Sequence, residues 1–141
     1  MESLHVVTGG RAPTFAPDVA AAARDIQDTG HPAVFGLHQS SAPSMVGVAR
    51  LTRSDVAGLW EQHPGGDELL LPLNAAMTVV LRVPDGSTTR HRLCPGSLFI
   101  VPQGVPHSFE LEEAEIQLLF VTPRDGNLGW SDDGREIRRH S

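Results

Sequence analysis

From Ala33 to Val121 the chain is a succession of short apolar or β-branched runs: A-V-F-G-L, M-V-G-V-A-R-L, E-L-L-L, M-T-V-V-L-R-V, S-L-F-I-V, S-F-E-L and I-Q-L-L-F-V. Gly, Pro, Asp or Ser cuts each run off. Many short strands with turn signals at roughly 8–12-residue spacing predict an all-β sandwich or barrel. The turn P-D-G-S at 84–87 predicts a hairpin, because Asp-Gly between two strands supplies the positive φ that a tight turn needs. C-P-G-S at 94–97 is the next turn. Residues 13–29 carry the helix signal, with Asp18 as N-cap or early-turn acid and Gly30 as the stop. The spacing thus predicts an N-terminal strand and helix extension over 1–40, a β-barrel over 41–123 and a polar C-terminal tail of low order over 124–141. Trp130 would pin that tail onto the barrel or onto a second subunit.

At 141 residues the chain is of single-domain size and can bury a core without staples. Seventeen acidic and eleven basic residues give a formal charge of −6, and the basic residues form no stripe. A nucleic-acid partner, whose phosphates need clustered Arg or Lys, is therefore not expected. All the basic residues are Arg, and Lys and Tyr are absent, a usage typical of GC-rich bacterial genomes. Cys94 is the single cysteine, which excludes an internal disulfide and a Cys-based zinc site and fits a reducing cytoplasm. No run approaches the roughly 20 apolar residues of a membrane span, and the N-terminus lacks the pattern of a signal peptide. A soluble, cytoplasmic protein without a membrane partner is the expectation.

Residues two apart on a strand point the same way. In W-E-Q-H-P-G-G-D-E-L-L-L-P, Glu61 and His63 share a face if the strand entered at Leu59 or Trp60 continues through them, and Glu68 opens the next strand. Far along the chain, G-S-L-F-I-V-P-Q-G-V-P-H presents His107 just after a Pro/Gly corner. Converging inside a barrel, His, Glu and His make an N/O site suited to Mn, Fe, Ni, Co or Zn. Asp67, next to Glu68, should point to the other face as a turn or surface acid. Phe109, Leu111, Leu119 and Val121 alternate so as to line the barrel. Gln117 shares the Leu119 face, where it could orient a ligand or sit at the rim. His91 alternates with Thr89 and Leu93, and it reads as a wall or pocket histidine. His38 would face the pocket from a strand following Phe35, whereas His5, His31 and His140 should be solvated. Pro72 interrupts the first strand and suggests an edge or bulge.

These two stretches resemble the paired motifs of the cupin superfamily. In the second, Gly96 is followed by five residues, Pro102, one residue, Gly104, two residues and His107. In the first, Glu61 stands where the family usually has a histidine, ahead of His63 and Glu68, and Ala75 stands near the usual closing glycine. The resemblance covers residues 45 to 123 and is closest to small single-domain members. It implies a double-stranded β-helix (jelly-roll) barrel, a divalent metal (Fe, Mn or Zn, with Ni or Co as further options) held by His63, Glu68 and His107, and often a homodimer. Glu61 would be a fourth ligand or a proton-transfer residue, and Phe109, Gln117, Leu119 and His91 would line the substrate pocket. The implied activity is that of a metal-dependent oxygenase, isomerase, decarboxylase, lyase or cyclase acting on a small carbonyl or carboxylate compound, with a secondary pathway as one setting. The alternatives are a non-catalytic binding or sensor module and a metal-free, epimerase-like barrel. The last would need a basic pocket, and the motif region is acidic.

Overall fold

Asp18 starts the long helix as its sequence predicts. Its carboxylate accepts from Ala21 N at 3.0 Å, and α1 (Val19–Thr29) ends at Gly30, whose N–H donates to Ile26 O at 2.9 Å. The computed structural model describes residues 11–132 and 136–137; His5 and His140 lie outside them. The helix is shorter than the 13–29 segment because Thr14–Ala16 form strand β1. Ala16 precedes Pro17, and a residue before proline is pushed out of the helical region.

The remaining elements are β2 (Ser44–Thr52), α2 (Arg53–Val56), β3 (Leu59–Gln62), β4 (Glu68–Pro72), β5 (Met77–Arg82), β6 (Thr88–Leu93), β7 (Leu98–Val101), β8 (His107–Leu111), β9 (Glu115–Pro123), β10 (Leu128–Ser131) and β11 (Glu136–Ile137). They build a five-stranded sheet, β1-β7-β4-β9-β2, and a six-stranded sheet, β11-β10-β3-β8-β5-β6, antiparallel throughout. From β2 to β10 the chain passes between sheets at every connection except the β5–β6 hairpin. That winding is the double-stranded β-helix of an all-β jelly roll. Leu70, Met77, Val79, Leu93, Phe99 and Ile116 fill the space between the sheets, all essentially inaccessible. Completely burying a side chain such as Phe99 stabilises the fold by roughly 1.5–3 kcal/mol.

Several expectations change. Residues 33–37 form no strand. Gly36 packs on Thr14 so closely that a Cβ there would sit 2.5 Å from Thr14 Oγ1, and the segment lies on β1 without pairing to it. His38 is exposed there, outside any strand. The segment after Pro123, expected to be of low order, supplies β10, which pairs with β3; Trp130, opposite Trp60, is buried against the barrel. Pro72 is no edge residue: it ends β4, a strand flanked by β7 and β9. Finally, the inward face of β9 is Ile116, Leu118, Phe120 and Thr122, so Leu119, Val121 and Gln117 point outward. The two faces of β9 are almost equally aliphatic, and alternation alone cannot choose between them.

Candidate metal centre

The register of β3 and β8 places Glu61 directly across from His107. His63 follows β3 and is held by Gly104 N, which donates to His63 O at 3.0 Å. Glu68 opens β4 opposite Val101. The motif glycines Gly96 and Gly104 have φ of 85° and 78°, values strained for any residue with a Cβ. Gly104 thereby turns the chain into β8 with His107 facing inward. Glu61, His63, Glu68 and His107 thus meet in the barrel, on strands whose order in sequence is far from their order in space.

Both histidines are oriented from behind. His107 Nδ1 donates to Val105 O at 3.0 Å; a carbonyl only accepts, so this tautomer leaves Nε2 as a lone-pair donor. His63 Nδ1 lies 2.9 Å from Asn127 Oδ1, and Asn127 Nδ2 donates to Pro123 O at 2.8 Å, which fixes the amide with its oxygen toward the ring. Glu68 is pinned on one side, where Thr122 Oγ1 donates to its Oε2 at 2.7 Å. Three buried atoms then converge without hydrogen-bond geometry to any partner among the described residues: His63 Nε2, His107 Nε2 and Glu68 Oε1. Glu68 Oε1 lies 3.0 Å from His107 Nε2, and Glu68 Oε2 lies 3.3 Å from His63 Nε2. Donors bound at about 2.1 Å stand about 3.0 Å apart at right angles and about 3.4 Å apart at tetrahedral angles, so these spacings suit one shared cation. Glu61 Oε2 is farther off, 3.8 Å from His63 Nε2, and its side chain is 25% exposed. His63, His107 and Glu61 also present atoms all within 4.8 Å of one another.

Burial works against a charge on His63, but Glu68 and then Glu61 outweigh it and raise its pKa to about 9. For Glu68, burial pushes the pKa up, while His63 and His107 pull it well below the usual carboxylate range. The donor cluster thus carries stored charge in a dry place, an arrangement common at functional sites.

The adjoining cavity has a volume of about 360 Å³ and is walled by Met45, Leu51, Phe109, Leu118 and Phe120, with Asn127 at its side. Of the expected pocket residues, Phe109 lies here. Gln117 is exposed on the outer face, where its N–H donates to Asn74 Oδ1 at 2.8 Å, and Leu119 shares that face. His91 lines a separate cavity with Arg11, Pro13 and Thr89. Its ring lies 5.1 Å from that of Phe99, tilted by 44°, and burial lowers its pKa. A larger groove of about 500 Å³ beside Trp60 lies on the outer surface, where Arg90 and Glu110 already pair with each other, so the buried donors define the site. Asp67 is also misplaced by the sequence reading. It is wholly buried and accepts from Arg11 Nη2, from Gln103 N at 2.7 Å and from Gln39 N at 2.9 Å. These donors hold its pKa below the ordinary value although burial pushes the other way. Asn127 and Thr122 were not anticipated. The parity of Leu118, Phe120 and Thr122 could have found Thr122, but no local signal marks Asn127.

A barrel of two antiparallel sheets wound in this way, with donors converging inside it, is the cupin fold. Bacillus subtilis oxalate decarboxylase shares it with a TM-score of 0.50 at 14% sequence identity, over 67% of this chain and 27% of that one. Hydroxypropylphosphonic acid epoxidase from S. wedmorenis, solved with fosfomycin, gives a TM-score of 0.45 at 19% identity over 53% of this chain and 41% of the epoxidase. The chain spans about a quarter of the length of the decarboxylase. No protein-family model and no curated protein sequence matches it. Among the described residues, no helix is long and apolar enough to cross a membrane.

Proposed function

We propose that this chain is a metal-dependent small-molecule enzyme in which His63, His107 and Glu68 hold a divalent ion and Glu61 moves protons beside it. The observation that carries the reading is that His63 Nε2, His107 Nε2 and Glu68 Oε1 are buried without a hydrogen-bond partner among the described residues, while the two Glu68 oxygens lie 3.0 and 3.3 Å from the imidazoles. Two imidazoles and a carboxylate favour Fe²⁺ or Mn²⁺, with Zn²⁺ also acceptable. The decarboxylase of similar fold has Mn(II) centres. When bound, such an ion supplies Lewis acidity toward a carbonyl or carboxylate oxygen, or a site for O₂.

The chain's own residues do the rest. Asn127 and Val105 O fix the imidazole tautomers, and partners of this kind typically add 10- to 100-fold to metal affinity. Thr122 leaves one Glu68 oxygen aimed inward. Phe109, Leu118 and Phe120 exclude water and present an apolar wall to the substrate's body. Glu61, partly exposed at the cavity side, can take a proton from bound substrate and pass it to solvent. The reaction is of the oxygenase, isomerase, decarboxylase or cyclase type on a small carbonyl or carboxylate compound. A cavity flanked by two glutamates does not suit the phosphates of a sugar nucleotide.

Elemental analysis after reloading should find about one equivalent of a transition metal; less than about a tenth of an equivalent overturns the reading. Glu61→Gln is expected to keep that equivalent, with affinity changed less than about tenfold. It should lose about 10²- to 10⁴-fold in metal-dependent turnover of a panel of small oxo acids and carboxylates. Loss of the metal equivalent in Glu61→Gln would make Glu61 a ligand instead.

A pH dependence follows from His63. Its proton must leave before Nε2 binds metal, so affinity should rise about tenfold per pH unit up to about pH 9 and then level off. In the metal-free protein the sign reverses. A folded pKa raised from the ordinary imidazole value of 6.5 to about 9 stabilises the fold fully below pH 6.5 and loses that contribution as pH rises through 9. Melting of chelator-treated protein at pH 6 and pH 9.5 should therefore differ, with the alkaline sample lower.

A further inference from the structure

Resting on the metal-centre reading above, we propose that Gly47 and Phe120 form the wall of the cavity that selects its substrate, and that the substrate so selected has one polar head and an uncharged hydrocarbon tail. Strand β2 turns Met45, Ala49 and Leu51 into the cavity, and by strand alternation Gly47 lies on that same face. Its register partner is Phe120. A Cβ at Gly47 would stand 3.0 Å from Phe120 Cζ and 3.3 Å from Cε2, so the tip of the ring lies over the glycine. The described glycines with positive φ do not include Gly47, and the backbone therefore does not require a glycine there. Glycine inside a strand weakens it and marks a place where another group approaches closely. Here that group is the Phe120 ring, which leans along the sheet toward β2; a side chain at 47 would lift it into the cavity.

Charge makes the same lining selective in a second way. The ionisable side chains lining the cavity are Glu61, His63 and Glu68, with no arginine among the described residues. Two arginines on the flanking segments are paired elsewhere, Arg50 with Glu115 and Arg124 with Asp125. A divalent ion therefore meets two carboxylates that already match its charge. One carboxylate or carbonyl head can bind beside them. A second anionic group farther along the molecule would be buried among Met45, Leu51, Leu118 and Phe120 with no cation to meet it, and the desolvation cost excludes it. Dicarboxylates and phosphates are thus rejected, and apolar tails are accepted. At roughly 30 Å³ for each water-sized group, the cavity of about 360 Å³ holds about a dozen non-hydrogen atoms.

Calorimetric titration of the Mn²⁺-loaded protein with a series of 2-oxo acids tests both features, with the metal equivalent measured on the same samples. 2-Oxooctanoate should bind about tenfold or more tighter than 2-oxopentanoate, since each buried methylene adds about fourfold. 2-Oxoglutarate, which matches 2-oxopentanoate in length, should bind about a hundredfold more weakly than it. Gly47→Val should weaken 2-oxooctanoate about tenfold while pyruvate changes less than about twofold. Gly47→Val/Phe120→Leu, which removes the displaced ring, should recover most of that loss, an outcome that a merely unfolded strand would not give. Protein that holds the ion yet binds 2-oxoglutarate as well as 2-oxopentanoate overturns the proposal alone. So does a Gly47→Val protein of undiminished affinity for 2-oxooctanoate, or a loss that the second substitution does not recover. Protein that holds no ion overturns the metal-centre reading and the proposal with it.

Discussion

Replacing Glu68 with glutamine is expected to reduce metal affinity by on the order of a thousandfold, about 4 kcal/mol, while the fold survives. The substitution is nearly isosteric, and its amide oxygen can still accept from Thr122 Oγ1, which donates at 2.7 Å in the wild type. What is lost is the charge that sits 3.0 Å from His107 Nε2 and 3.3 Å from His63 Nε2. The variant carries a second signature. Burial alone depresses the His63 pKa, and Glu68 is the foremost group opposing it, so without that carboxylate the value should fall from about 9 toward the ordinary imidazole range. Isothermal titration with Mn²⁺ or Zn²⁺ measures the first effect and an NMR pH titration of the imidazole protons the second. A Glu68→Gln protein with wild-type affinity would assign the ligand role to Glu61.

Asp67→Ala should be the most damaging single substitution for the fold, costing about 3–5 kcal/mol and lowering Tm by about 10 °C or more. Asp67 has no exposed surface, and its two oxygens answer three donors from segments far apart in sequence: Arg11, Gln39 N and Gln103 N. Truncation strands those donors and leaves a void, and asparagine does not repair it because its NH₂ would face a donor. The loss should reach the metal site too. Gln103 belongs to the turn whose Gly104 N–H holds His63 O, so metal affinity should fall in step with stability. Chemical denaturation of the metal-free variant checks the stability term, and an effect below about 1 kcal/mol would show that the segment from Arg11 to Gln39 is held by other contacts.

How far these features could be read from the sequence depends on where their information resides. The P-D-G-S hairpin, the Asp18 cap and the Gly30 stop are local, and each appears where its residues predict. His63, Glu68 and His107 were legible as a convergent set because paired motifs carry long-range information in two short stretches. Asp67 was not. A charged residue beside a turn looks like surface, and its burial depends on partners that no spacing rule connects. β9 failed for another reason: its outer face is aliphatic as well as its inner one, so the period was right and the phase was wrong. β10 reads as Gly-rich and polar, and only its pairing with β3 makes it a strand. Asn127, in the connection just before it, orients His63 by virtue of that pairing.

The pairing of Trp60 with Trp130 also gives the molecule a built-in optical reporter. The chain has two tryptophans and no tyrosine, so its near-ultraviolet emission arises almost wholly from one cross-strand pair. Trp60 donates to Asp132 Oδ1 at 2.9 Å, lies 4.4 Å beneath the Arg82 guanidinium and immediately precedes Glu61 in the chain. Its fluorescence therefore reads out the strand that carries half of the first motif, and a paramagnetic ion seated between the histidines would dim it without any added label.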